Sequence, residues 1–412
     1  MTKLSCFSTA LPVFVSLAAL VGCGGTDPDL GSKPPPPEEL LAPPPEGEGV
    51  QFKMTTEVAA GTEVEHCMFV RGPADGMFIN HDEVRYSQGS HHVLVYETQY
   101  SDIPTAKTDG TKVDTSGVFD CSDGATNGWA VTKLVAGSQN ANGTSMLSFP
   151  PDVAMKVRPN AVLLMNAHYV NPTNAPMQPE VRVNVYTVPE AQVKTEGDLL
   201  FLYNPFIYVP PNGTGRARMQ CKVHTDITIQ NVQSHMHARG VGYEVRVAGE
   251  AEPFYTNTAW EGVPVKDFGA GLQVKAGSFL DYHCDYKNAG TNEVFQGPRS
   301  TDEMCMVIGS FYPANPWTAN CQREADLPLG STVTGADWIG NGTATCAETF
   351  SCVQQALVAG KGINGLMPCV TASDPSVSKE MSESLRCLFN SYNGGKDPAM
   401  ACQTQFAACQ AK

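Results

Sequence analysis

Basic residues are scarce. Lys and Arg number 27 against 42 Asp and Glu, a formal charge of −15. Nucleic acid and anionic lipid call for clustered basic side chains, so neither is expected as the main partner. Apolar runs long enough to approach a bilayer span are missing after the first 23 residues, which excludes a polytopic membrane protein. The chain has 14 Cys but no C-x-x-C pair, so a zinc ribbon or a thioredoxin-type motif is not indicated. What is present suffices for folding. Apolar residues make up 42% and charged residues 17%, which excludes disorder throughout. At about 150 residues per domain, 412 residues suggest two to three domains.

The N-terminus reads as an address. Lys3 precedes an apolar stretch from Leu11 to Val21, and Leu20-Val21-Gly22-Cys23 resembles a bacterial lipobox. On that reading residues 1–22 are a removed signal peptide and Cys23 is lipidated. An ordinary secretory signal with a chance Cys is the alternative. In neither case is the segment a transmembrane helix of the mature protein, and one acylated terminus anchors a protein to the membrane without spanning it. Residues 23–50 are rich in Pro, Gly and Glu, the composition of an extended tether. The expected location is that of an exported bacterial lipoprotein, periplasmic or at the cell surface. Gly24 lacks the Asp often read as an inner-membrane signal, which points to the outer membrane. Once Cys6 leaves with the signal and Cys23 takes the lipid, twelve Cys remain, so six disulfides are expected in an oxidising compartment.

Three blocks follow. Residues 51–195 carry short strand-like runs, Val64 to Arg71, His92 to Glu97, Ala161 to Val170 and Val181 to Val188, separated by Gly, Pro, Asn and Asp. Residues 196–328 repeat the texture at Leu199 to Tyr203, Asp226 to Gln233, Tyr243 to Val247 and Met304 to Tyr312. The expected fold is mainly β, two antiparallel, jelly-roll-like β-sandwiches. Residues 340–412 form a small disulfide-rich helical block, with helix-compatible stretches at Ala347 to Ala359 and Ser378 to Phe389. Its six Cys are spaced almost symmetrically about Pro375. Nested pairing would join Cys346–Cys409, Cys352–Cys402 and Cys369–Cys387, one of fifteen possible connectivities. A block this small needs such staples, and a structural appendage without chemistry is its simplest reading.

Of nine His, five are placed suggestively. His235 and His237 form a His-x-His pair after a β-branched run. Residues i and i+2 of a strand share a face, so both rings could reach one ion. The motif is weak alone and often reflects chance. His91 and His92 are adjacent and in a regular strand would diverge, one buried and one exposed. Convergence needs a bulge or a strand end, and Gln88-Gly89-Ser90 supplies a flexible entry. His168 could complete a three-nitrogen set. Met304 offers a thioether, a soft ligand that favours copper, although a single Met is more often core filling.

Ser90-His91-His92-Val93-Leu94-Val95-Tyr96, Asn166-Ala167-His168-Tyr169, Ser234-His235-Met236-His237 and Asp302-Glu303-Met304-Cys305, in this order, resemble the copper type II, ascorbate-dependent monooxygenases. That family includes peptidylglycine α-hydroxylating monooxygenase and dopamine β-hydroxylase. The resemblance spans roughly residues 55–325. It implies two β-sandwich domains, each with one of two copper ions, facing each other across a solvent-filled cleft. His91, His92 and His168 would hold the electron-transfer copper. His235, His237 and Met304 would hold the oxygen-activating, catalytic one. Cys221–Cys321 and Cys284–Cys305 would match the family's second-domain disulfides, which leaves Cys67 and Cys121 for each other. The implied partners are O2, a small-molecule substrate and ascorbate or another one-electron reductant. Two departures stand out. Gln233 occupies the place where peptide-hydroxylating members use an arginine, and Met306-Val307-Ile308 replaces an Asn and Tyr, so the resemblance implies an apolar pocket for neither familiar substrate. Three functions are consistent with this sequence: a surface-anchored copper monooxygenase, a non-catalytic copper-binding lipoprotein for storage, delivery or electron transfer, and an inert contact module.

Overall fold

The computed structural model describes residues 40–140, 143, 145–322 and 335–412. The leader, Cys23 and residues 24–39 of the expected tether lie outside them. Residues 40–50 are not a free spacer. The Leu41 carbonyl accepts from Gln51 Nε2 (3.0 Å) and Arg182 Nη1 (2.8 Å), and the Ala42 carbonyl from Asn184 Nδ2 (2.8 Å). The tether expected to reach residue 50 therefore ends on a sheet, because polar side chains there satisfy its carbonyls.

Strand accounts for 42% of the structure against 16% helix, so the chain is mainly β. The first half supplies β1 (Gly49–Thr55), β2 (Thr62–Arg71), β3 (Met77–Tyr86), β4 (Ser90–Thr98), β5 (Phe119–Asp120), β6 (Val131–Ser138), β7 (Val153–Val157), β8 (Val162–Asn171), β9 (Glu180–Thr187) and β10 (Thr195–Glu196). They form two sheets, β1-β9-β3-β7-β10 and β5-β2-β8-β4-β6. Alternation is clean in β2, where Glu65, Cys67 and Phe69 are buried between less buried neighbours. Strand β8, central in its sheet, is buried along almost its whole length, as its near-continuous apolar run requires. One apolar cluster is shared by the two sheets and includes Phe52, Phe69, Val95, Leu164 and Val183.

The second half supplies β11 (Asp198–Tyr203), β12 (Tyr208–Val209), β13 (Gly213–Lys222), β14 (Ile227–His235), β15 (Gly240–Val247), β16 (Tyr255–Asn257), β17 (Lys266–Val274), β18 (Phe279–Asn288), β19 (Val294–Phe295), β20 (Met306–Tyr312) and β21 (Asp337–Ile339). Its larger sheets run β11-β20-β14-β17 and β16-β15-β18-β13-β21. The halves are not separate bodies, since residues 40–412 make one unit. Leu199, Met306 and Ile308 of the second half are buried in the first half's apolar cluster.

The C-terminal block contains α1 (Pro316–Ala319) at its approach, then α2 (Cys346–Val358), α3 (Met367–Thr371), α4 (Ser378–Asn393), α5 (Pro398–Ala401) and α6 (Gln403–Gln410). Helix α2 opens with a capping box. Thr345 Oγ1 accepts from Glu348 N (3.2 Å) and Glu348 Oε2 accepts from Thr345 N (2.9 Å). Its buried Phe350, Val353 and Ala356 recur at helical spacing. The block is not an appendage. Val353, Leu366, Met381 and Leu385 share one apolar cluster with Tyr243, Tyr282 and Phe311 of the second half, and β21 extends a sheet by pairing with β13.

The disulfides are Cys67–Cys121, Cys221–Cys321, Cys284–Cys305, Cys346–Cys409, Cys352–Cys369 and Cys387–Cys402. The inner pairs expected in the tail, Cys352–Cys402 and Cys369–Cys387, are not formed. Nesting presupposes two long antiparallel segments. The tail is instead a chain of short helices, so each inner bridge joins near neighbours in sequence, α2 to α3 and α4 to the turn before α6.

Candidate metal centre

The first cluster grows from a bulge. Strand β4 pairs with β8 as Ser90↔Tyr169 and then His92↔His168, so His91 is the extra residue. A bulge breaks the alternation that would send neighbouring side chains to opposite faces. Gly89 makes the entry with φ +91°, and a Cβ there would run into Met177. His91, His92 and His168 are thereby brought together. Their ring centroids lie 5.5 Å (His91–His92), 5.2 Å (His91–His168) and 5.1 Å (His92–His168) apart. One nitrogen from each lies within 4.8 Å of the others, a spacing that could hold a metal ion.

The second cluster forms where β14 ends. His235 is its last residue and His237 follows, with ring centroids 5.2 Å apart. Strand β20 runs antiparallel to β14 in the register Gln233↔Ile308, Ser234↔Val307 and His235↔Met306. Continued two places, that register sets Met304 opposite His237. The segment is held there: Asp302 O accepts from His237 Nδ1 (3.1 Å), and Glu303 accepts from His237 N (2.9 Å) and Arg239 N (2.7 Å). Tyr286 Oη donates to Met304 O (2.7 Å), and Cys305 is bridged to Cys284. The Met304 side chain is half-buried against the first half's apolar cluster.

The two clusters touch. The rings of His92 and His235 lie 6.1 Å apart. His92, His168, His235 and His237 are all 7% exposed or less. This corrects the solvent-filled cleft that the family resemblance implied. The cause is hydrogen bonding between the halves. Gln139, just after β6, is buried between them. Its Oε1 meets His235 Nδ1 (2.6 Å), and its Nε2 donates to Gln233 Oε1 and Ser234 O (both 2.7 Å). Asn140 exchanges two bonds with the backbone of Val263 (2.9 and 2.8 Å). Gln233, Met306 and Ile308, read from sequence as substrate-facing, are buried as well. Gln233 braces Gln139, and the other two pack in the core between the halves. They line no open pocket here, because the surface they would present is covered by the first half.

Residues not singled out in the sequence complete the setting. Glu63 Oε1 accepts from His168 Nε2 (2.9 Å). The Trp260 indole lies over His91, centroids 6.2 Å apart and 29° between planes. Nothing local marks Glu63, Gln139 or Trp260. Glu303 carried a signal, being an acid inside the same short motif as Met304.

Electrostatics favours neutral imidazoles. Burial, reinforced by the neighbouring rings, holds His92 and His235 well below the ordinary imidazole value. Burial also lowers His91, and it takes His168 and His237 down to about 4. Burial acts the other way on carboxyls, raising Glu65 and Glu303 to about 7 and Asp82 to about 6. The signs then oppose. A depressed His contributes stability above its unfolded value near 6.5, and that contribution is lost as pH falls through about 4. A raised carboxyl contributes below its unfolded value, and that contribution is lost as pH rises through about 6 to 7. His168 and His237 are each worth about 3 kcal/mol at order of magnitude. In the metal-free protein His168 and His237 are therefore expected to withdraw stability from pH 6.5 to 4, against a gain from Glu65, Asp82, Asp198 and Glu303 over the same range. Urea midpoints against pH check this. The double variant His168→Gln/His237→Gln should flatten the acid limb, and an unchanged limb would refute the attribution.

Residues 198–329 match a protein-family model described as copper type II ascorbate-dependent monooxygenase, C-terminal domain. The chain is 24% identical over 265 residues to the human protein named putative DBH-like monooxygenase protein 2, covering 58% of this chain and 49% of that one. It thus spans about half the length of this relative. Among solved structures, the major capsid protein P2 of bacteriophage PM2 aligns at 11% identity and TM-score 0.26, over 64% of this chain and 97% of that one. A peptide-N(4)-(N-acetyl-β-D-glucosaminyl)asparagine amidase aligns at 9% and 0.29, over 63% and 94%.

Proposed function

We propose that the chain is a member of the copper type II ascorbate-dependent monooxygenase family, whose C-terminal domain model residues 198–329 match, and that it hydroxylates a C–H bond of a small organic substrate, using O2 and a one-electron reductant such as ascorbate. His91, His92 and His168 hold one copper ion on this reading, and His235, His237 and Met304 the other. The single observation that carries it is the pair of imidazole clusters. The donor chemistry fits the metal. His168 Nδ1 is buried with no hydrogen-bond partner among the described residues, while its Nε2 is engaged by Glu63. His235 and His237 commit Nδ1 to Gln139 and Asp302 and keep Nε2 for a ligand role. Such fixing of one ring nitrogen by a neighbour is how proteins select the other for a metal.

When bound, copper supplies the one-electron chemistry and the activation of O2. The chain's residues do the rest. Gln139, Asp302 and Glu63 orient the rings, and burial keeps them neutral and excludes bulk water. Gln139 and Asn140 tie the first half to the second beside His235. The two sandwiches, 51–195 and 196–328, the helical block 340–412, the signal 1–22 and the lipid on Cys23 that would anchor the protein at the bacterial surface belong to the same proposal.

Closure of the site favours a second reading, a non-catalytic copper-binding protein. One experiment separates the two. The full chain is loaded with copper, its metal content measured, and O2 uptake followed with ascorbate and candidate substrates. Two coppers with uptake matched by hydroxylated product support the enzyme. Copper without coupled uptake supports the binder, and no copper sinks both. A spectroscopic check is independent of substrate. Cu(II) should quench Trp260 emission because the indole stacks on His91. Trp260→Phe should remove most of the copper-dependent quenching while leaving the copper content unchanged.

A further inference from the structure

Glu63 does more than touch His168. Its Oε1 also accepts from Ser300 N (2.7 Å) and its Oε2 from Ser300 Oγ (2.7 Å). Burial alone would raise the Glu63 carboxyl, but the two Ser300 donors and His168 outweigh it and keep it below the ordinary value. Ser300 belongs to the segment that leads into Met304. Two residues further on, Asp302 O accepts a hydrogen bond from His237 Nδ1, and Glu303 accepts from His237 N and Arg239 N. The segment is closed on itself, since Asp302 N donates to Arg299 O (2.9 Å) and Glu303 N to Phe295 O (2.9 Å).

We infer that Glu63 is a positioning residue that latches residues 299–304 to His168 through Ser300, so that one segment sets the orientation of an imidazole in each cluster. The inference rests on the reading of both clusters as copper sites only for its consequence; the latch itself is a property of the metal-free chain. Ionised Glu63 makes three charge-assisted bonds, roughly twice as strong as neutral ones. They join two strands' worth of ligand geometry across the halves. Loss of the carboxylate frees His168 Nε2 and the Ser300 end of the segment together.

The test uses full-length protein in both states. In metal-free protein, hydrogen exchange at the Ser300 and Asp302 amides should speed at least ~10-fold in Glu63→Ala, with β8 and β14 amides unchanged. Ser300→Ala should give a smaller acceleration and Ser300→Thr, which keeps the hydroxyl, almost none. In copper-loaded protein, Glu63→Ala should weaken metal at the His168 cluster by about 10–100-fold. It should also shift the Cu(II) EPR signal of the His235/His237 cluster, which it does not touch. Unchanged exchange at 300 and 302 overturns the latch whatever copper does. Faster exchange with an unshifted second signal overturns the coupling. Normal latch exchange behaviour in a chain that binds no copper would confirm the latch and refute the function proposed above.

Discussion

On the proposed ligand assignment, His235→Ala is expected to leave a folded protein that binds one copper fewer than the parent and has lost the product-forming O2 chemistry. His235 is the junction of the site. Its ring lies 6.1 Å from His92 and 5.2 Å from His237, and its Nδ1 is held by Gln139 at 2.6 Å. Alanine removes a donor from the second set and none from the first. Altering a residue that merely orients a metal ligand costs about 10–100-fold in metal affinity or activity, so loss of the ligand itself should exceed that. The fold should survive. The variant leaves Gln139 Oε1 buried without its partner, a cost of about 1–3 kcal/mol, while the β14–β20 ladder is untouched. His168→Ala is the matched control. It should lose the other copper and slow reduction by ascorbate. Metal content, circular dichroism and product-coupled O2 uptake on both variants decide the matter, and two retained coppers in His235→Ala would refute the ligand assignment.

Trp338→Ala is expected to produce the largest loss of stability. Trp338 is 2% exposed on β21 and stands between the second half and the tail. Its ring packs on Phe206 at a 4.6 Å centroid distance and lies under the Arg386 guanidinium at 6.0 Å. Its backbone N donates to Ser382 Oγ on α4 (2.8 Å). Removing a buried Trp side chain costs about 3–5 kcal/mol through lost burial and the cavity left behind. The shared core implies that tail and second half lose stability together, so the transition should move by ~10 °C and remain single for that part. Trp338→Phe should recover most of the loss, because the indole N–H is buried with no hydrogen-bond partner among the described residues. A tail that melts separately from the second half would show that the helical block is independent after all.

Sequence patterning located the elements well and their mutual arrangement poorly. The run before His235 reads as a strand because β-branched residues recur, and β14 ends at that histidine. The flexible Gln88-Gly89-Ser90 entry anticipated a bulge at the adjacent histidines, and the register shift falls there. The tail helices were visible in their composition, but the inner disulfides were not, since position in sequence does not say how many helices lie between two Cys. Gln233, Met306 and Ile308 are buried in the seam, and their chemistry fits a pocket wall as well as it fits a seam. Only the packing of the two halves distinguishes those environments.

The order of the histidines, the β-rich texture and the residue types able to bind copper are written in the chain itself, because strand periodicity and donor chemistry are local properties. The closure of the two imidazole clusters, the bracing by Gln139, the Glu63–Ser300 contact and the merging of the tail with the second half come only from tertiary structure. Glutamine, glutamate and serine are ordinary until strands distant in sequence bring them within hydrogen-bonding reach, and no short-range pattern records that approach.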